Sequence, residues 1–132
     1  MKLLFPYAAT TRDVTVRVSV SFLPEQWEPE KGRWFWAYHV RIENGGQQAV
    51  QLLSRHWRIT DGRGTRHDVR GDGVVGEQPV IEPGASYDYV SGCPLHTPTG
   101  SMEGTFHLVR GDGSSFDATI PRFPLVGPAV TR

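Results

Sequence analysis

Val14-Thr15-Val16-Arg17-Val18-Ser19-Val20-Ser21-Phe22 alternates apolar and polar side chains without a break. An extended chain sends successive side chains to opposite faces, so this run is a strand with one buried face and one wet face. A polar, proline-containing segment from Pro24 to Gly32 follows and reads as a loop. Trp34, Trp36, Tyr38, Val40 and Ile42 then share one face of a second long strand, with Phe35, Ala37, His39, Arg41 and Glu43 on the other. Asn44-Gly45-Gly46 ends it and supplies the positive φ that a tight reversal uses.

The same grammar continues downstream. Val50 to Thr60 is a third strand with Leu53, Trp57 and Ile59 inward and Arg55 and Arg58 on opposite faces. The adjacent Leu52-Leu53 pair breaks the alternation and marks a bulge or a change of exposed face. Asp61-Gly62-Arg63-Gly64 turns into a short strand, Thr65 to Arg70. Ser86 to Cys93 forms another, with Tyr87 and Tyr89 on one face, and Pro94 to Gly100 reads as a loop. A last hairpin pairs Ser101–Val109 with Ser115–Ile120 around Arg110-Gly111-Asp112-Gly113. Pro121 to Arg132, with three prolines and a glycine, reads as a tail. No stretch has helical periodicity free of Gly, Pro and β-branched clusters. About seven short strands with turn chemistry between them predict an all-β fold, a two-sheet antiparallel β-sandwich. A closed barrel is the alternative. The immunoglobulin/fibronectin type III-like architecture fits, without the disulfide of antibody domains, because Cys93 is the only cysteine.

The chain of 132 residues fits one domain, with a core of about 14–125 and short N-terminal and Pro-rich C-terminal tails. Formal net charge is zero, which argues against nucleic acid or anionic membrane as a partner. The charge is unevenly placed. Arg55, Arg58, Arg63, Arg66 and Arg70 cluster, whereas no Lys or Arg lies between Gly71 and Val109. The apolar run at the N-terminus is too short for a signal peptide or a membrane span, so a cytoplasmic location is expected.

Gly71-Asp72-Gly73-Val74-Val75-Gly76 has the spacing G-x-G-x-x-G. That spacing binds dinucleotides when it follows a strand and opens a helix. Here Gln78-Pro79 and Pro83-Gly84 leave no room for a helix, and what remains is a glycine-rich loop between strands. Its N–H groups at Gly71, Gly73 and Gly76 could form an anion-binding nest beside Arg66 and Arg70. Val-Arg-Gly-Asp-Gly occurs at Val69–Gly73 and at Val109–Gly113, each time as a strand end entering a turn. The five histidines, His39, His56, His67, His96 and His107, form no local chelating pair. A cross-strand site would need partners such as His56 and His67 with Asp61 or Asp68. Neither Ser54-Arg55-His56 nor Ser91-Gly92-Cys93 has the strand–turn–helix setting of a nucleophile elbow. Trp27, in the polar loop, is the candidate exposed aromatic anchor.

Longer blocks carry a resemblance. Val50-Gln51-Leu52-Leu53-Ser54-Arg55-His56-Trp57-Arg58-Ile59-Thr60-Asp61, then Gly71 to Pro79, Pro83-Gly84, Tyr89-Val90-Ser91-Gly92, Thr97 to Gly104 and Ile120-Pro121-Arg122-Phe123 resemble the bacterial ApaG (CorD-like) family. The blocks come in the family's order from about Val14 to Leu125. The resemblance implies a fibronectin type III-like sandwich, an association with cobalt tolerance and magnesium efflux, and genes often adjacent to one for hydrolysing diadenosine tetraphosphate. Related eukaryotic domains imply protein–protein binding. It carries over no catalytic residues.

The expected function is a non-enzymatic binding module with a protein partner, no cofactor and no metal site, linked indirectly to divalent-cation homeostasis. Its working surface is expected at Arg66, Arg70, Gly71, Gly73, Gly76 and Gln78, with Trp27 as a further contact. The alternative is a sensor for a phosphorylated small ligand, or its metal complex, at the glycine-rich loop. An enzyme acting on dinucleoside polyphosphates is a third option. Exposed edge strands leave a homodimer open.

Overall fold

The computed structural model describes residues 4–130; residues 1–3 and 131–132 of the two tails lie outside it. Nine strands, rather than about seven, build two antiparallel sheets: β1 (Tyr7–Thr11), β2 (Val14–Phe22), β3 (Trp34–Asn44), β4 (Val50–Asp61), β5 (Arg66–Asp72), β6 (Val80–Ile81), β7 (Ser86–Leu95), β8 (Thr99–Arg110) and β9 (Ser115–Val126). One sheet has the order β1-β2-β3-β7. The other has the order β5-β4-β8-β9, with β6 pairing β4 beyond the end of β5. The sandwich expected from the alternating pattern is the fold observed.

The core lies between the sheets. Val16 and Val18 of β2 stand opposite Ile42 and Val40 of β3 in the register, and Val14, Trp34, Trp36 and Tyr38 extend the same buried face. Trp57 of β4 stands edge-on to Tyr38 at 5.2 Å between ring centroids and meets Phe106 and Phe123 the same way. Burying these rings supplies the main driving force and fixes how the sheets stack. The margins are unequal. Along one side β1 and β2 lie against β9, while β5 and β7 are not drawn together on the other.

Several local readings change. β9 runs on through Pro121 and Pro124 to Val126, and its Phe123 and Leu125 are fully buried. It is an edge strand, where a missing N–H costs no ladder bond, and the register slips between Met102 and Gly104 to absorb Pro121. β7 likewise passes through Pro94 on the edge of its sheet, so only three residues separate it from β8. β1 was hidden in a weak stretch. It joins β2 through Arg12 and Asp13, both at positive φ, a two-residue hairpin without its usual Asn-Gly signal. Pro24 to Gly32 holds two short 3-10 turns, Pro24–Gln26 and Pro29–Lys31. The reversal after β3 uses no positive φ at Gly45 or Gly46. The buried Asn44 side chain builds it, donating to the Gln48 and Ile81 carbonyls and accepting from Gly46 N–H.

Candidate functional site

The predicted bulge lies where expected: β4 slips against β8 between Leu52 and Ser54. Leu52, not Leu53, is the buried member of the pair. Beyond the bulge Arg55 and Trp57 face inward, whereas Ser54, His56 and Arg58 face solvent.

The glycine-rich loop is built onto that bulge. Gly73 N–H donates to the Leu53 carbonyl at 2.8 Å, and Gln78 Nε2 donates to the same oxygen at 2.9 Å. Val74 and Glu77 exchange both backbone hydrogen bonds and close a tight turn, with Val74 buried beneath. Gly73 sits at φ +60°, and a Cβ there would run into the Glu77 carbonyl. The expected nest is therefore incomplete: Gly73 N–H is committed to Leu53, and Gly71 pairs with Arg55 in the β4–β5 ladder. Val75, at the tip, is 57% exposed and holds φ +44°, a sterically costly region for a β-branched residue.

The predicted residues divide among three places. Arg70 and Gly71 border an open groove of about 520 Å³ on the outer face of the second sheet, with Ser54, Arg55, His56, Asp72, Thr105, His107 and Asp117. Arg66, one pleat away, is held by Asp68 at 2.8 Å. Gly73, Gly76 and Gln78 shape the loop. Trp27 is not a free anchor. It is half-buried, lies edge-on to Phe22 at 6.0 Å, and its indole N–H is enclosed without a partner among the described residues.

Three of the five histidines hydrogen-bond a surface carboxylate. His56 meets Asp68 at 2.8 Å, His107 meets Asp117 at 2.8 Å, and His39 meets Asp88 at 2.7 Å. Hydrogen bonds from Arg66, then from His56, hold the Asp68 carboxyl far below its usual range. Burial pushes the Asp88 carboxyl up, but Arg41 and His39 outweigh it and keep it low. His56 and His67 share no carboxylate: His67 stands 4.0 Å from Asp61. Among the described residues no group of three or more His, Cys, Asp or Glu is placed to hold a metal ion. Burial pushes the Cys93 thiol up to about 11, which leaves little thiolate near neutrality. No described helix is long and apolar enough to cross a membrane.

At the open margin a second cavity, of about 360 Å³, enters between the sheets under β5 and β7. Tyr38, Trp57, Ile59, Val69, Cys93, Pro94 and Met102 line it, with Arg55 its only cation among the described residues. Sequence reading passed over it. The parity of Arg55 with Trp57 was the available signal, since it placed an arginine on the inner face.

Comparisons with known proteins agree with the fold and extend it. The ApaG domain pattern matches residues 24–110. Protein ApaG of Methylobacterium sp. (strain 4-46) is 54% identical over 126 residues, which is 96% of this chain and 97% of that one. Protein ApaG of Rhodospirillum centenum is 49% identical over 122 residues, covering 92% of this chain and 94% of its own. A crystal structure from Bordetella pertussis, described as ApaA, superposes with a TM-score of 0.85 at 44% identity, covering 97% of this chain and 100% of that one. The C-terminal domain of Wzt shares the fold alone, at TM-score 0.57 and 10% identity over 95% of this chain and 79% of its own. With the bulge, the loop and the whole sandwich inside the matched length, the chain belongs to the ApaG domain family.

Proposed function

We propose that this protein is a non-enzymatic cytoplasmic binding module that works by gripping a protein partner with its glycine-rich loop. The observation that carries this reading is Val75. A β-branched residue at φ +44° costs of order 1–3 kcal/mol, and this one spends it to hold two methyl groups in water at a loop tip. Backbone strain of that kind collects at working sites. Val80, also 57% exposed, adds apolar surface just beyond the loop. The loop is fixed in advance by Leu53, Gln78 and the Val74–Glu77 turn, so a partner meets a formed surface and little ordering cost remains. The link to cobalt tolerance and magnesium efflux is then indirect, through that partner.

Val75→Gly tests the reading. It relieves the strain and removes the side chain, so the folded protein gains about 1 kcal/mol. Copurification from cells, under conditions that keep weak complexes, then loses the partner held by the unaltered chain. Equal recovery with both proteins overturns the proposal.

The groove beside the loop supports a second reading, a sensor of a phosphorylated small ligand or its metal complex. Arg70 borders the groove and has no ion-pair partner among the described residues. Saturable amide shifts at Arg66–Gln78 with pyrophosphate, abolished by Arg70→Glu, support it. Silence in that segment removes it.

A further inference from the structure

We infer that the cavity under β5 and β7 binds a small organic carboxylate with an aromatic body, whose charge is taken by Arg55. This site is separate from the loop tip and goes beyond the binding role proposed above.

The first argument is charge. Arg55 points between the sheets, and none of the ion pairs among the described residues involves it. Arg55 is half-buried at the mouth of a largely apolar cavity, and a cation so placed with no counter-charge among the described residues attracts an anion. The second argument is posture. Arg55 Nη1 donates to the carbonyls of Asp72 at 3.0 Å and Gly73 at 2.8 Å. Those bonds anchor one corner of the guanidinium and leave Nε and Nη2, its parallel fork, with no acceptor among the described residues. Such a fork matches the two oxygens of a carboxylate.

The third argument is space made for the cation. A Cβ on Gly71 would lie 2.9 Å from both Nη atoms of Arg55, so the glycine admits the guanidinium beneath β5. The first glycine of the G-x-G-x-x-G spacing thereby gains a reason that involves no nucleotide. The fourth argument is the lining. Tyr38, Trp57 and Met102 form the cavity's buried floor, and Ile59, Val69 and Pro94 add apolar side chains, a lining that suits a flat apolar body. At about 360 Å³ the cavity lies in the ordinary range for small-molecule sites. One cation suits a monoanion. A pyrophosphate or a nucleotide would bring more negative charge than Arg55 can neutralise.

Indole-3-acetate is the probe, titrated into isotopically labelled full-length protein and followed by NMR at the Arg55 Nε–H and the Trp57 indole N–H. Saturable shifts at both are expected. Neutral indole-3-acetamide, of matching shape, should bind at least about tenfold more weakly, the worth of one charge-assisted contact. Arg55→Met should abolish binding of the acid. Val69→Trp, on the exposed edge, fills the cavity while Arg55 stays in place, and should also abolish it. The assignment is overturned if the acid gives no saturable shift, if the amide binds as well as the acid, or if folded Val69→Trp binds undiminished. Val75→Gly leaves the cavity lining untouched, so the loop and the cavity fail or stand separately.

Discussion

Asp68 shows how single residues decide the character of the outer face. It takes two hydrogen bonds from Arg66 and one from His56, so its carboxylate is satisfied and its proton affinity is low. A carboxyl lowered in this way supports the folded state at pH values above its ordinary range. That support fades only as the pH falls through its lowered native value. Exposure and screening keep the contribution small. At about pH 3, where an ordinary aspartate is mostly protonated, Asp68 should remain ionised, read from its carboxyl carbon shift. Arg66→Gln should move that titration upward, and an unchanged curve would show that the ion pair does not form in solution. The same sharing bears on metal binding: Asp68 and Asp88 each serve one histidine and one arginine, so neither brings two histidines together.

At the scale of elements, the bulge in β4 and the loop after β5 form one unit, joined at the Leu53 carbonyl. The two glycines on either side of Val75 have different duties there. Gly73→Ala forces a Cβ against the Glu77 carbonyl at positive φ, and should cost at least about 2 kcal/mol in denaturant unfolding. Gly76, at φ +81° with open space around it, should cost only about 1 kcal/mol as alanine. Equal costs would mean that the loop relaxes freely. Elements differ in how openly the chain announces them. Val14–Phe22 and Trp34–Asn44 are plain because both alternate over their whole length and have a single dry face. The ends of β7 and β9 are concealed by Pro94, Pro121 and Pro124, since whether a proline breaks a strand depends on that strand lying at an edge. Edge position is a property of the assembled sheet. The same holds for the site: the glycines were visible as a motif, whereas their partners Leu53, Arg55 and Glu77 become neighbours only once β4, β5 and the loop are in register.

For the whole molecule the governing fact is that the two margins of the sandwich differ. Strands β8 and β4 are flanked on both sides, whereas β5 has one neighbour and a cavity beneath it. Local opening should therefore begin at β5. Native-state hydrogen exchange is expected to be faster at the laddered amides of Arg66–Asp72 than at those of β8 by at least about tenfold, a difference of roughly 1.4 kcal/mol in opening free energy. Uniform protection across both strands would show that the sandwich opens as a single cooperative body.

The closed margin also settles how the molecule can be held. β1 and β9, the first and last strands, both run along that side and form the spine of the sandwich. Whatever grips that spine, a surface or a larger neighbour in an assembly, holds the molecule from behind. The Val75 loop and the mouth of the cavity then face outward together, like the fore-edge of a book held by its binding.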